Sequence, residues 1–223
     1  MPWKKAYDYI VTGMRVAIIS DIHANLPALE AVISKIIDAD RVICLGDVVN
    51  YGPWNDECIE LIYTLPGLMM LEGNHERLFL GKEPLDHEIP LVQKFYQASI
   101  KSFQQRSLIN NLPSEVRFEG MLFTHTLNGM KVYQDTNVIP SEDCFLGHTH
   151  HAFDITRSGK RIVNPGSVGQ NRFRIDIACW AWWEPEKSNV SLEHTSYPAH
   201  LLLQEMRAQN YPLDCIAYYE GKL

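Results

Sequence analysis

The chain has 223 residues, of which 46% are hydrophobic and 21% are charged, and its formal net charge is −7. This composition is typical of a folded globular protein, and it excludes an intrinsically disordered chain because there is ample apolar surface to bury. The acidic balance argues against a protein that coats nucleic acid, and no apolar run approaches the ~20 residues that a membrane helix needs.

Residues 1–13 carry no clear hydrophobic period, and a sharp pattern begins at Met14. We expect residues 1–13 to be an N-terminal extension and residues 14–223 to form one domain. In the first half, β-branched runs alternate with segments of helical spacing, which is typical of parallel βαβ units. The predicted elements are a strand at 15–19, a helix at 26–37, a strand at 42–45, a helix at 58–63 and a strand at 68–71.

The second half of the chain is richer in short strands. Helices are predicted over residues 91–109 and 199–210. The strand segments between them are 120–124, 143–146, 153–156, 161–164, 175–183 and 190–194. Ser158-Gly159 marks a hairpin turn between two of these strands. The chain is therefore predicted to be an α/β protein whose first half packs on a strand-rich second half.

Five clusters of histidine, carboxylate and amide residues each follow a predicted strand. They are Asp21-Ile22-His23, Gly46-Asp47, Gly73-Asn74-His75-Glu76, His125 and Gly147-His148-Thr149-His150. Side chains at the carboxyl ends of strands in an α/β sheet converge on one crevice, so we expect these clusters to meet. The glycines within them allow the close approach of backbone that a crowded site needs.

These ligand types suit a centre of two divalent metal ions. Aspartate, histidine and one asparagine oxygen are ligands for Mn, Fe, Zn, Co or Ni, and the lack of cysteine ligands argues against a structural zinc site. Two ions about 3.5–4 Å apart can share a carboxylate, clamp the attacking and leaving oxygens and generate hydroxide near neutral pH. Each cluster alone has an ordinary structural explanation, such as a turn, a helix cap or a hydrogen-bonded histidine. Their order and their placement after strands favour the metal centre.

The clusters, in this order, resemble the motif string of the calcineurin-like metallophosphoesterases, and the resemblance runs from about Met14 to His194. Residues 46–53 and 164–170 resemble the small bacterial and archaeal phosphodiesterase branch of that superfamily. The resemblance implies a four-layer αββα sandwich, in which two mixed β-sheets are flanked by helices.

The resemblance also implies a role for each matching residue. The ligands of the first metal would be Asp21, His23, Asp47 and His150. The ligands of the second metal would be Asp47, Asn74, His125 and His148, with Asp47 as the bridge. His75 would not bind metal but would protonate the leaving oxygen as a general acid. Asn50, where relatives often have glycine, and Arg172, which follows an Asn-Pro-Gly-Ser loop, are candidate substrate-binding residues.

The function implied is a phosphodiesterase that acts on small-molecule or nucleotide phosphoesters, with manganese as the favoured metal. A metal-bridging hydroxide would attack in line, and His75 would protonate the departing alkoxide. The alternatives are a phosphomonoesterase or phosphoprotein phosphatase and, from another class, a non-catalytic metal-binding scaffold for protein partners. The full set of seven ligands together with His75 favours the enzyme.

Expectations about partners and location follow from the same features. The start of the chain leads into no hydrophobic signal region, and the five scattered cysteines form no CxxC pair. We therefore expect free thiols and a cytoplasmic protein. We expect no membrane partner and no stable nucleic-acid complex, and by analogy with the family a homo-oligomer is compatible with the sequence.

Overall fold

The computed structural model describes residues 13–223, so the predicted extension at residues 1–13 lies outside the described residues except for Gly13. The strands form two sheets of five. In spatial order, the first sheet consists of β10 (Asn189–Ser196), β9 (Ile177–Glu184), β1 (Val16–Ile19), β2 (Arg41–Cys44) and β3 (Met69–Met70). The second sheet consists of β4 (Glu115–Phe118), β5 (Met121–Thr124), β6 (Cys144–Phe145), β8 (Lys160–Asn164) and β7 (Phe153–Arg157).

Both sheets are mixed. Strands β1, β2 and β3 are parallel, as the βαβ pattern predicts, whereas β9 runs antiparallel to both β1 and β10. In the second sheet, β5, β6 and β8 are parallel and the antiparallel strands β4 and β7 form its edges. The hairpin between β7 and β8 turns at Ser158 and Gly159, which have φ of 49° and 77°. Two positive φ values in succession match the twist of the flanking strands.

The two sheets pack face to face over an apolar core. Alternation along β1 directs Val16 and Ile18 into this core. From the second sheet, the rings of Phe123 and Phe145 stack in parallel with their centroids 5.3 Å apart. Trp183 of β9 lies against both rings, at 5.4 and 5.8 Å. The interlocking aromatic rings hold the two sheets, and therefore the ends of their strands, at a fixed separation.

Helices flank this sandwich. They are α1 (Leu26–Ile33), α2 (Asn55–Ile62), α3 (Asn74–Phe79), α4 (Pro90–Ser99), α5 (Arg106–Ile109), α6 (His200–Ala208) and α7 (Leu213–Glu220). Helix α1 begins as predicted, with the Asn25 side chain accepting the Ala28 N–H at 3.3 Å and a proline in the first turn. Its buried Leu29 and Val32 pack on the outer face of the first sheet. Within the described residues, no helix has the length and hydropathy to cross a membrane.

The long helix predicted over residues 91–109 is broken. Helix α4 ends at Ser99, and the chain turns through a short 3₁₀ segment before α5 begins at Arg106. The carboxylate of Asp56 accepts the N–H groups of Gln104 and Gln105 at 3.0–3.2 Å, and these N–H groups would otherwise continue the helix. The contact with Asp56 of α2, which is remote in sequence, therefore interrupts the helix that the periodicity predicts.

Three elements have no counterpart among the predicted ones: β4, α3 and α7. Helix α3 is the least expected, because it begins within the Gly73-Asn74-His75-Glu76 cluster. The expectation of free thiols is confirmed, since all five cysteines are buried and unpaired.

Candidate metal centre

The predicted ligand residues converge where strands of the two sheets end. Asp21 and His23 follow β1, Asp47 follows β2, and Asn74 and His75 open α3 after β3. From the second sheet, His125 follows β5, and His148 and His150 follow β6. All of these side chains are buried, apart from the half-buried Asn74 and His148. The two sheets thus contribute to one site at a shared edge, as the placement of the clusters predicts.

A first group consists of Asp21, His23 and His150, whose ligand atoms lie within 4.8 Å of one another. The Nε2 atom of His150 is 3.3 Å from Asp21 Oδ1 and 3.1 Å from His23 Nε2. The backbone N–H of His148 donates to both carboxylate oxygens of Asp21 at 3.1–3.2 Å. Asp21 therefore ties the first sheet to the loop that follows β6.

A second group consists of Asp47, His125 and His148. The Oδ2 atom of Asp47 is 3.1 Å from His125 Nε2. The side-chain oxygen of Asn74 lies 3.1 Å from His125 Nε2 and 2.8 Å from His148 Nδ1. Asp47 also forms a group with His23 and His75, so its carboxylate lies between the two sets of ligand atoms.

The ring orientations of three histidines suit a bound cation. The Nδ1 atoms of His23, His125 and His150 each face a backbone carbonyl oxygen, at 3.3, 2.9 and 2.8 Å. A carbonyl only accepts, so each Nδ1 carries a proton, and in the neutral ring each Nε2 presents a lone pair to the centre. The Nε2 atoms of His23 and His150 are only 3.1 Å apart, and two lone pairs cannot satisfy each other. A divalent cation between them would, so the donor set fits metal.

The charges of the centre reinforce one another. Burial opposes the charged form of Asp21, but the facing His150 holds the pKa of that carboxyl below its usual range. Burial likewise opposes charge on Asp47, and His125 and His75 hold its pKa low. Burial also works against a proton on His125, yet the nearby carboxylate of Asp47 raises its pKa to about 10. A metal at Nε2 must therefore displace this proton, which makes metal binding dependent on pH.

Glu76 holds the loop that carries Asp47, a role that the sequence analysis missed. Its Oε2 atom accepts the N–H groups of Asp47 and Gly73 at 2.7 and 2.8 Å. Its Oε1 atom accepts those of Val48 and Val49 at 2.7 and 3.2 Å. Burial and the charge of Asp47 raise the pKa of Glu76 to about 7, against the effect of these four donors. Glutamate three residues after glycine at the start of a helix was the available signal.

The glycines of the clusters lie where backbone and side chains approach closely. A Cβ atom on Gly73 would be 2.1 Å from Asp47 Oδ1, and one on Gly147 would be 2.2 Å from Ser20 Oγ. Neither contact is compatible with van der Waals radii. The close approach expected of these positions is therefore present, and glycine is the residue that permits it.

The two candidate substrate-binding residues lie in different surroundings. Asn50 is fully buried, and its Nδ2 atom is 2.9 Å from His75 Nδ1. Asn50 contacts the Nδ1 side of His75 and is not among the residues that line the cleft. The geometry therefore does not support a direct contact between Asn50 and a substrate. Arg172 lines the cleft, and its Nη1 atom donates to the hydroxyl of Tyr218 at 2.7 Å.

A cleft of about 820 Å³ lies over the centre. Its floor includes Asp47, Asn74, His75, His125, His148 and His150. Arg172, Lys131 and Tyr133 are among the residues of its wall. Tyr218 of α7 also lines it, so the helix absent from the predicted elements contributes to the site. The cleft is large enough to enclose a small organic phosphoester.

Comparison with known proteins finds similar sequences and similar folds. The chain is 28% identical over 213 residues to the protein MJ0912 of Methanocaldococcus jannaschii, covering 82% of this chain and 87% of that one. The fold is similar to that of a metallophosphoesterase from Sphaerobacter thermophilus, with a TM-score of 0.79, 27% identity and coverage of 95% of this chain and all of the other. It is also similar to protein PH1004 of Pyrococcus horikoshii, with a TM-score of 0.78, 18% identity and coverage of 92% and 97%.

The sequence model of the calcineurin-like phosphoesterase superfamily domain matches residues 14–184, which include every residue of the five clusters. The match spans well over half of the chain. The chain therefore belongs to the calcineurin-like phosphoesterase superfamily.

Proposed function

We propose that this phosphoester hydrolase is a phosphodiesterase for small-molecule or nucleotide substrates, and that it uses two divalent metal ions, with manganese favoured. Asp21, His23, Asp47 and His150 would hold one ion. Asp47, Asn74, His125 and His148 would hold the other. Bound there, the two ions supply Lewis acidity that activates water and neutralises charge on the phosphoryl oxygens.

One observation carries the proposal: the hydrogen bond between Asn50 and His75. The amide of Asn50 has a defined orientation, because its Oδ1 atom accepts the Tyr51 N–H at 2.8 Å. Its Nδ2 atom therefore points at His75 Nδ1, 2.9 Å away, and donates to it. A neutral His75 then carries its proton on Nε2, the atom that lies 3.9 Å from Asp47 Oδ2 in the floor of the cleft.

A proton held at this atom suits a general acid. A phosphodiester bound over the centre would place its leaving oxygen near His75 Nε2, where the N–H would donate a hydrogen bond to the charge that develops on that oxygen. Complete proton transfer to the departing alkoxide would start from the imidazolium form of His75, which becomes the neutral ring. Arg172 would bind a phosphoryl oxygen, and this role is supported by its position in the wall of the same cleft, where it donates to Tyr218. Asn50 acts through His75 as a positioning residue.

The test compares metal-stripped protein with and without added Mn²⁺ on bis-nitrophenyl phosphate, a diester, and nitrophenyl phosphate, a monoester. We expect diester hydrolysis that depends on Mn²⁺. A preference for the monoester would favour a phosphatase instead. Absence of turnover with any of the five candidate metals, despite bound metal, would favour the non-catalytic scaffold.

The role of His75 is tested with the variant His75→Ala on two leaving groups. Nitrophenolate leaves without help, whereas the alkoxide of a dinucleotide needs a proton. We expect a loss of about 10²–10⁴-fold on the dinucleotide and a much smaller loss on the nitrophenyl ester. His194→Ala, at an exposed position on β10, is the matched control. Equal losses on both substrates would refute the general-acid role.

A further inference from the structure

Three aromatic side chains form a contiguous surface beside the centre. They are Tyr133, His151 and Phe173, and we name them the aromatic ledge. The ring of His151 lies between the other two, with its centroid 5.4 Å from that of Tyr133 and 5.2 Å from that of Phe173. We propose that the aromatic ledge binds a nucleobase, which would make nucleotide diesters the substrate class. The inference rests on the proposed phosphodiesterase function.

The ledge is continuous with the catalytic cleft. His151 directly follows His150, whose Nε2 atom belongs to the first ligand group. Phe173 directly follows Arg172, and both Arg172 and Tyr133 line the cleft. Tyr133 therefore belongs to both the ledge and the cleft, whereas His151 adjoins a candidate ligand and Phe173 adjoins a cleft residue along the chain. A small molecule that stacks on the ledge can extend past Tyr133 into the cleft over the centre.

The ledge presents open ring surface. Phe173 is 76% exposed and Tyr133 is 41% exposed. A single exposed aromatic residue is ordinary, but a contiguous group at the rim of a cleft is typical of a binding surface. Neighbouring ring planes within the ledge are close to perpendicular, with interplanar angles of 69° and 88°. An edge-to-face contact covers at most one face of a ring, so the 76% exposed Phe173 keeps a face open for stacking with a flat ring.

The segment that carries Phe173 is held in place by hydrogen bonds. The side-chain oxygen of Asn171 accepts the N–H groups of Phe173 and Arg174 at 2.9 and 3.1 Å. The guanidinium of Arg174 pairs with Asp176 at 2.6 Å. A ligand that stacks on the ledge therefore meets a surface that is already ordered, which lowers the entropic cost of binding.

The charges next to the ledge favour an anionic ligand. Arg172 and Lys131 both line the cleft, and each lies within two residues of a ledge aromatic in the sequence. A ligand with a flat ring at one end and a phosphate at the other matches this arrangement. A nucleotide has both groups, whereas a simple alkyl phosphoester has only the phosphate.

The experiment compares two diesters that share the scissile bond and the leaving group. They are the nitrophenyl ester of thymidine monophosphate and methyl nitrophenyl phosphate, both assayed with the Mn²⁺-loaded protein. We expect the wild-type chain to prefer the thymidine ester in kcat/KM. We expect Phe173→Ala to reduce this preference by about fivefold to tenfold, the lower part of the range for base–aromatic stacking.

Two further variants separate stacking from apolar contact and from general effects. Phe173→Leu keeps an apolar side chain but removes the flat ring, so we expect it to reduce the preference as Phe173→Ala does. Leu213→Ala changes an apolar residue that is 84% exposed and does not line the cleft, and we expect it to leave the preference unchanged. Calorimetric titration with thymidine monophosphate and with methyl phosphate measures the same selectivity without turnover.

Each result decides the proposal. No wild-type preference for the thymidine ester, or a preference that both Phe173 variants retain, would overturn it. If neither ester is hydrolysed, the phosphodiesterase function fails, and calorimetry alone decides whether the ledge binds nucleotide: weaker binding in Phe173→Ala supports it and unchanged binding overturns it. If Phe173→Ala instead converts an oligomer to a monomer in sedimentation and leaves nucleotide selectivity intact, the ledge is an interface between copies of the chain.

Discussion

The Glu76 carboxylate provides the sharpest test of how the fold positions the site. In Glu76→Gln the side chain keeps its shape, but an amide NH₂ replaces one of the two accepting oxygens. Two of the four backbone N–H groups that Glu76 now binds, at 2.7–3.2 Å, would face a donor instead of an acceptor. These groups belong to the buried loop of Asp47 and to Gly73, so water cannot replace the lost acceptor.

The expected magnitude follows from this count. A buried donor without a partner costs about 1–3 kcal/mol, so two of them cost about 2–6 kcal/mol. The opposing effect is the repulsion between Glu76 and Asp47, which the variant removes and which contributes to raising the pKa of Glu76 to about 7. Cations bound at Asp47 would cancel this repulsion. We therefore expect the full loss in saturating Mn²⁺ and a smaller loss in the presence of a chelator.

The measurement is thermal unfolding of wild type, Glu76→Gln and Glu30→Gln at about pH 8, where Glu76 is mostly ionised. In Mn²⁺ we expect the melting temperature of Glu76→Gln to fall by about 10 °C, from roughly 2–4 °C per kcal/mol for a chain of this size. Glu30 is exposed on α1, and its variant controls for the change of charge. Equal melting temperatures for wild type and Glu76→Gln in Mn²⁺ would refute the reasoning.

Other substitutions test separate parts of the molecule. Asp47→Asn should weaken both metal sites together, so that metal analysis of the purified protein finds well below the wild-type content; full content would contradict the bridging position. Gly73→Ala would bring a methyl group within 2.1 Å of Asp47 Oδ1 and should lower Mn²⁺ affinity in a calorimetric titration, whereas Gly221→Ala, whose nearest neighbour is 3.5 Å away, should not. Phe145→Ala should cost about 3–5 kcal/mol in urea unfolding because it opens the core between the sheets; a loss below 1 kcal/mol would contradict the tight packing.

The location of the centre could be predicted because it depends on local patterns. Short β-branched runs mark the strands, and polar clusters directly after them must lie at strand ends. The structure brings Asp21, Asp47 and His125 together at such ends, from both sheets. Nothing in this argument requires knowledge of how the sheets pack, since each cluster is attached to its own strand.

The supporting contacts could not be predicted because they join distant parts of the chain. Asn50 has no local pattern that marks it as the partner of His75, 25 residues away. Tyr218 reaches the cleft because α7 packs against α4, which is distant in the chain. The break after α4 has the same origin, because it depends on Asp56 of α2. Hydrophobic periodicity indicates where single helices and strands lie, and it contains no information about contacts between distant segments.

Backbone strain is a further property that the sequence does not reveal, and it bears on metal binding. Five candidate ligand residues adopt left-handed backbone: Asp21 (φ 54°), His23 (φ 50°), Asp47 (φ 57°), His148 (φ 69°) and His150 (φ 62°). Non-glycine residues rarely adopt this conformation, and each instance costs of the order of 1 kcal/mol or more. The Nε2 lone pairs of His23 and His150 also face each other 3.1 Å apart. Without a cation, the strained backbone and these facing lone pairs oppose the folded state.

Metal should therefore stabilise the fold strongly. At a free concentration 100 times Kd, one filled site contributes about 2.7 kcal/mol. For a chain of this length that corresponds to a rise of about 5–10 °C in melting temperature, and two sites would exceed it. The rise should grow with pH, because the proton that Asp47 favours on His125 competes with metal for Nε2. Asp21→Asn removes a charged ligand from one site and should reduce the rise. If melting is unchanged by Mn²⁺, Fe²⁺, Zn²⁺, Co²⁺ and Ni²⁺ alike, the strained loops do not form a metal centre, and their conformation needs another explanation.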